Sequence, residues 1–361
     1  MEGSAVSARN SLELSRNSRP NESCAGPNDM HMAPKSILAS FLLLLLFIPA
    51  DLLLWGQQTS TEPESEVPDQ GGFKIGVEVN MVTVPITVRK REGGFLKGLP
   101  KSAFHLYEDG EPQEIAFFAQ EGLPTRIAIV LDSSGSVRSE WGTIKYATKR
   151  FVENLLPEDA FSLVSFNTDT RLKMNWGHDT DRVDAVLTSI YCKDYTNLWD
   201  AIWVVCNDVF KGIEEKKAII IMSDGLDTGS SVTYKEALQS AVRAEIALYI
   251  VSKTEAVRQS LMYQSAKMGY YGNISPENFV NADLALRKLA FETGGRVLYP
   301  NSFGQLDNVY AQVYEELRSQ YTVGYVSTNT AKDGTYRRIR VAVDAKDAVI
   351  SARPGYYASR K

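Results

Sequence analysis

The residues able to do chemistry in this chain gather where apolar runs end. In IAIVLDSSGSV, residues 127–137, the strongly apolar stretch Ile127–Leu131 is followed at once by Asp132, Ser134 and Ser136. One carboxylate and two hydroxyls at alternating positions can converge on a small hard cation, which takes oxygen ligands at about 2.0–2.1 Å in near-octahedral geometry. Gly135, between the serines, lets the loop turn tightly. A second apolar run, KKAIIIMSDG over 216–225, ends in Asp224 and Gly225, and between the two runs CKDYTNLWDAI (192–202) places Thr196 in a loop just before an amphipathic helix. A polar Ser/Gly loop closing any core strand would look like the first segment alone; three such segments in order are far more specific.

On these residues the chain resembles the von Willebrand factor A family. The metal-ion-dependent adhesion site of that family draws on an Asp-x-Ser-x-Ser loop, a Thr from a second loop and an Asp from a third. The matching positions here are Asp132, Ser134, Ser136, Thr196 and Asp224. The resemblance implies Mg²⁺ as the ion, with Mn²⁺ or Ca²⁺ as substitutes. It implies Ser134, Ser136 and Thr196 as contacts, direct or through water, and Asp132 and Asp224 as the source of charge. Five protein groups leave an octahedral position open, so a protein ligand offering a Glu or Asp carboxylate would complete the shell with charge-assisted bonding. One departure stands out: Asp194 and Tyr195 precede Thr196 where the family usually carries glycines. Asp194 either adds negative charge beside the cation or is a solvated loop acid. Asp227 either supports the site from behind or is a turn residue.

These loops need a parallel sheet to hold them. Continuous apolar runs such as 127–131, 160–166, 216–223 and 246–252 read as strands buried on both faces. Helical patterns alternate with them over 141–156, 180–190, 198–211, 232–244, 283–295 and 305–321. That order predicts an α/β, doubly wound and mostly parallel sheet. Ligands bind such sheets beyond the carboxyl ends of the strands, where Asp132 and Asp224 both fall. The flanks differ. VEVNMVTVPITVRKR (77–91), FHLYEDGEPQEIAFFAQ (104–120, two strands joined around Asp109-Gly110), QYTVGYV (320–326), TYRRIRVAV (335–343) and AVISARPGYYA (348–358) alternate as half-buried strands do. Neither flank could close a sandwich alone, so the predicted arrangement is an A-type unit inserted into a β-sandwich built from both flanks. The layout resembles a group of exported bacterial A-domain-related proteins, through VPITV (84–88), LYEDGEPQ (106–113) and GYYA (355–358). The expected organisation is a disordered or mis-annotated leader at 1–34, a signal peptide or membrane anchor at 35–56 and a linker at 57–73. The N-terminal portion of the β-sandwich follows at 74–122, the A domain at 123–320 and the C-terminal portion of the sandwich at 321–358.

Composition narrows the function classes. With 39 basic and 44 acidic side chains the 361-residue chain carries a net charge of −5, and no basic block points to nucleic acid. Its three His and three Cys lack the spacing of a zinc or haem site. Lys35 before SILASFLLLLLFIPADLLLW fits an export signal, cut near Gly56, or an uncleaved anchor over 37–55. A signal placed so late fits translation from Met30 or Met32. In an oxidising compartment Cys192 and Cys206 could bridge, although two separate buried thiols are the favoured reading. Residues 253–281, rich in Tyr, Met, Gly and Asn, interrupt the strand–helix repeat and form either a partner-contacting insertion or an ordinary surface loop; Asn273-Ile274-Ser275 within them matches a glycosylation acceptor. The expected function is an exported, non-enzymatic module in the periplasm, cell envelope or extracellular space, binding a protein ligand through a divalent ion. An envelope scaffold with a structural or vestigial metal loop is the alternative. A metal-assisted hydrolase is a lesser one, since no histidine or Gly-x-Ser-x-Gly elbow supplies a base beside Ser134.

Overall fold

The computed structural model describes residues 81–120, 123–193, 195–253 and 276–360. The leader, the apolar segment with its anchor candidate 37–55, the linker, Asp194, and insertion residues 254–275 with the Asn273-Ile274-Ser275 triplet lie outside the described residues. Strands β1 (Met81–Lys90), β2 (Phe104–Glu108), β3 (Glu111–Gln113) and β4 (Ile115–Gln120) come first. They are followed by β5 (Thr125–Asp132), β6 (Ala160–Phe166), β7 (Thr170–Gly177), β8 (Lys216–Ser223), β9 (Ile246–Ser252) and β10 (Arg296–Leu298), and the chain ends in β11 (Tyr321–Val326), β12 (Tyr336–Val343), β13 (Ala348–Ala352) and β14 (Gly355–Tyr357). The helices are α1 (Trp141–Glu153), α2 (Val183–Thr188), α3 (Leu198–Val204), α4 (Tyr234–Arg243), α5 (Pro276–Glu292) and α6 (Leu306–Arg318).

The central sheet has the order β10-β9-β8-β5-β6-β7 and is parallel except for β7, which runs antiparallel to β6 at the edge. Alternation along β5 feeds two cores. Ile127, Ile129 and Leu131 pack with α1, α2 and α6, whereas Ala128 and Val130 pack with α3, α4 and α5. A strand buried on both faces has no polar side to show, and this is why it reads as an unbroken apolar run. The chain leaves β5 for β6 on one side and later returns to β8 on the other, with α1 and α3 on opposite faces. The strand order therefore reverses between β5 and β8, and a crevice opens beyond their carboxyl ends.

Both flanks contribute to each of two four-stranded antiparallel sheets, ordered β13-β1-β11-β4 and β14-β12-β2-β3. Their facing side chains share one core, with Val84, Ile86 and Val323 from the first sheet and Phe104, Leu106 and Ile339 from the second. Asp109 and Gly110 both take left-handed backbone, at φ 49° and 97°, which the tight β2–β3 hairpin needs. At the junction with the central sheet, the Gln320 amide donates to Tyr249 Oη at 3.0 Å on β9 and to Thr87 Oγ1 at 3.2 Å on β1.

Several elements differ from expectation. The second strand expected within 104–120 is two, β3 and β4, and they belong to different sheets. Strand β7 has no counterpart in the sequence reading, because as an edge strand it buries only Met174 fully. The helix expected over 198–211 stays α-helical only to Val204 and then widens into a π turn at Val205–Val209, closed by Phe210 N–H donating to Val205 O at 3.0 Å. In keeping with the favoured reading of two separate thiols, and unlike the bridged alternative, Cys192 and Cys206 are free. The physical reason is their placement: Cys192 packs against the α1/α6 side of the sheet and Cys206 lies in the α3/α4 side. Burial pushes both thiols above their ordinary range.

Candidate functional site

Three loops meet beyond the carboxyl ends of β5 and β8. In the first, Asp132 Oδ1 accepts from Ser134 N–H at 2.8 Å, a local turn that sets both serines to one side. The hydroxyls of Ser134 and Ser136 are 3.0 Å apart. Behind them Ser133 donates to Phe166 O at 2.9 Å and accepts from Asn167 Nδ2 at 3.0 Å, which ties the loop to the end of β6. In the third loop Asp224 Oδ1 accepts from Leu226 N–H at 3.1 Å. Gly225 follows with φ +79°, and a Cβ there would lie 2.9 Å from both Ala282 O and Leu286 Cγ, so only glycine carries the chain out of β8 at this point.

The second loop is stitched between the other two. Lys193 N–H donates to Ser133 O at 2.9 Å on one side, and on the other Thr196 N–H donates to Thr228 Oγ1 at 2.8 Å while Thr228 N–H donates to Thr196 O at 2.8 Å. Thr196 is buried in this seam. Asp227 accepts from Leu198 N–H at 2.8 Å and from Ser230 N–H at 3.0 Å, capping the first turn of α3 and so fixing the helix that follows Thr196.

A residue that the sequence reading passed over sits at the centre. Lys253 Nζ donates to Asp132 Oδ2 at 2.7 Å and to Ser136 Oγ at 2.8 Å, with Asp224 Oδ2 3.5 Å away. Its side chain is 1% exposed. The backbone explains the placement. Ser252 of β9 pairs with Ser223 of β8, and Lys253 N–H donates to Ser223 O at 3.2 Å, so Lys253 stands at its strand end as Asp224 stands at its own. The signal was present in the sequence: IAIVLD, IIIMSD and LYIVSK are three apolar runs, each closed by a charged residue. Burial pushes the Asp224 carboxyl above the usual carboxylate range; Lys253 opposes the rise and the Asp132 charge adds to it.

By donor type, Asp132, Ser134, Ser136, Thr196 and Asp224 suit a hard cation. By position they do not fit a further ion in this arrangement, because the ammonium lies at hydrogen-bonding distance from Asp132 and Ser136, between them and Asp224. The rim around this cluster carries aromatic side chains and charges of both signs, with Lys193 Nζ 3.6 Å from the exposed Asp169. Tyr191 and Tyr195, 79% and 61% exposed, flank the middle loop together with the exposed Lys193 and Arg138, whose Nη2 donates to Cys192 O at 3.2 Å.

Residues 127–312 match the von Willebrand factor type A domain family, a group of domains that are generally interaction modules and can bind a divalent metal. Curated protein sequences gave no match. Among solved structures, the chain is similar to an aerotolerance-related membrane protein from Bacteroides fragilis, with 14% identity over 54% of this chain and 98% of that one and a TM-score of 0.40. It is similar to BatB from Bacteroides thetaiotaomicron, with 16% identity over 54% and 100% and a TM-score of 0.39. Proximal thread matrix protein 1 from the mussel byssus, in a form with a zinc-occupied adhesion motif, shares 16% identity over 58% of this chain and 49% of that one, with a TM-score of 0.41. The chain thus spans about half the length of the mussel protein. Among the described residues no helix is long and apolar enough to cross a membrane. The family match covers more than half of the chain, and the strands and loops that bear the candidate site lie within it or at its border, so the chain belongs to the von Willebrand factor type A domain family.

Proposed function

We propose that this chain is an exported, non-enzymatic interaction module that takes a protein partner at the rim beyond β5 and β8. The observation that carries the reading is the stitched middle loop, which presents Tyr191 and Tyr195 beside Lys193 and Arg138 over a fixed charge cluster. Exposed tyrosines held on rigid backbone are frequent anchors of protein interfaces. Basic side chains beside them favour a partner offering Glu or Asp carboxylates. A partner carboxylate bound through a divalent ion, the mode implied by sequence, would require Lys253 to leave Asp132 and Ser136.

Catalysis is poorly supported by the same groups. Lys253 and Ser136 are spaced like a serine–lysine pair, but Lys253 Nζ donates to both Ser136 Oγ and Asp132 Oδ2, an arrangement that holds the loop oxygens and does not make the lysine an acceptor for the serine hydroxyl. Of the described histidines, His105 bonds Asp344 at 2.8 Å on the sandwich and His178 is exposed in the loop after β7. A second reading, an envelope scaffold with a purely structural loop cluster, draws support from the burial of Lys253.

The test is capture of partners from the native cell envelope on the immobilised chain, comparing wild type with Tyr191→Ala/Tyr195→Ala in Mg²⁺ and in EDTA. The interaction reading expects a partner retained in both buffers and weakened at least about tenfold by the double substitution. Equal capture by the double variant would overturn it in favour of the scaffold. Capture abolished by EDTA would restore the ion-bridged mode.

A further inference from the structure

We propose that Lys253 is the built-in cation of this site: its ammonium stands where a divalent ion would, and the chain therefore takes up no divalent ion there until that side chain is removed. The inference goes beyond the interaction reading and holds whether or not a partner binds at the rim.

Three observations carry it. The ammonium reaches oxygens from separate loops, Asp132 Oδ2 at 2.7 Å and Ser136 Oγ at 2.8 Å, with Asp224 Oδ2 at 3.5 Å. These are three of the five groups whose types suit a hard cation. The lysine is delivered by the sheet itself, since Ser252 pairs with Ser223 and Lys253 N–H donates to Ser223 O at 3.2 Å. Its side chain is 1% exposed and those of Asp132 and Asp224 are 0% and 5%, so the charges are desolvated together.

The charges explain why such a site excludes an ion. Two buried carboxylates with no counter-charge would repel each other strongly, and a proton on one of them or a cation between them relieves that repulsion. A tethered ammonium does so without depending on the ion supply. A divalent ion entering beside it would face a like charge at about 3 Å in a poorly solvated place. An ion would also need the lone pairs that Asp132 and Ser136 already give to the ammonium. Removal of the ammonium leaves two carboxylates and three hydroxyls, the oxygen donors that a hard cation prefers. An ammonium offers no open coordination position to a partner carboxylate. It follows that chelators leave this chain's site untouched.

The experiment titrates Mn²⁺ alone into the full chain, following free Mn²⁺ by electron paramagnetic resonance and melting temperature in parallel, for wild type and Lys253→Met. The expected result is no uptake at this site by wild type and a melting temperature that EDTA leaves unchanged. Lys253→Met should bind one Mn²⁺ at concentrations at least about a hundredfold below the highest at which wild type takes up none, and melt higher when it is bound. If Lys253→Met does not fold without metal, Lys253→Ser, which keeps both carboxylates and leaves room for water between them, takes its place with the same readings. One-to-one uptake by wild type that Asp132→Asn abolishes overturns the proposal. Uptake by neither wild type nor the folded variant overturns it too, because the oxygens would then hold no ion even when vacated.

Discussion

Two buried charge centres in this molecule look alike and behave in opposite ways. In the sandwich, Glu108 and Arg337 are 2% and 3% exposed and 3.2 Å apart. Glu108 also accepts from Tyr325 Oη at 2.6 Å, Tyr356 Oη at 2.9 Å and Ser327 Oγ at 2.6 Å. Burial alone would raise its carboxyl, yet the bonds from Ser327, Tyr325 and Tyr356 and the charge of Arg337 together hold it below the ordinary glutamate range. At the rim, Asp224 is equally buried but accepts from the Leu226 backbone and faces a more distant ammonium, and its carboxyl is pushed up. The sandwich centre is a matched pair with a full set of donors. At the rim centre Lys253 stands between two acids, Asp132 and Asp224. Burial alone does not decide what a charge does; the bonds and neighbouring charges that meet it do.

The sharpest way to break this contrast is Arg337→Met. It strands Glu108 of β2, whose partners Tyr325, Arg337 and Tyr356 sit on β11, β12 and β14, so that the cluster joins the two flanks of the chain. Loss of one member of a buried, hydrogen-bonded pair should cost about 3–5 kcal/mol, read as a lowered urea midpoint of the full chain. A loss below about 1 kcal/mol would mean that the tyrosines and Ser327 hold Glu108 without the guanidinium.

That contrast also shows which regions of the molecule were legible in the sequence. Asp132 and Asp224 stood out because a strand covered on both faces is apolar along its whole length, so the first charged residue marks its end. The insertion into a sandwich could be read because alternating strands flanked the β/α stretch on both sides. Lys253 obeys the same strand-end rule, but its residue type hides its place: oxygens mark a cation site in a sequence, and a lysine there is a cation already supplied. Strand β7 gave no pattern, since an edge strand with Met174 as its only buried residue carries neither a run nor an alternation. The pairing of Cys192 with Cys206 could not be settled without knowing that α3 and the loop before it address opposite faces of the sheet.

A third cation tests how far the donor argument extends. Lys216 opens β8, the strand that ends beside Asp224, and its ammonium donates to Leu317 O and not directly to a carboxylate. Burial lowers it to about 7, against the raising pull of Asp159 and Glu316, with Arg318 adding to the fall. The unfolded chain, with lysine near 10.4, then binds more protons between about pH 7 and 10.4, so this group makes stability rise with pH across that window. Lys216→Met should be more stable than wild type near pH 7 by roughly 1–2 kcal/mol, allowing for partial solvent reach, with the advantage fading towards pH 10. Melting curves at several pH values check this, and a pH-independent difference would show that the lysine stays charged.

The smallest expected effect sharpens the comparison most finely. Asp224→Asn keeps the acceptor for Leu226 N–H and removes a carboxylate that burial pushes up, while Lys253 keeps its bond to Asp132. Its cost should stay within about 1 kcal/mol of wild type, far below the loss at Arg337. The pH dependence supplies the sign. A raised folded carboxyl binds protons that the unfolded chain has already released, so Asp224 makes stability fall as pH climbs from about 4 through its folded value. Glu108, lowered on folding, contributes stability that is present above about 4.3 and lost as pH falls through its folded value. In acid titrations of stability, Asp224→Asn should therefore steepen the loss on acidification and Glu108→Gln should flatten it. Slopes that move in the same direction would mean that the two centres do not differ in the way their donors imply.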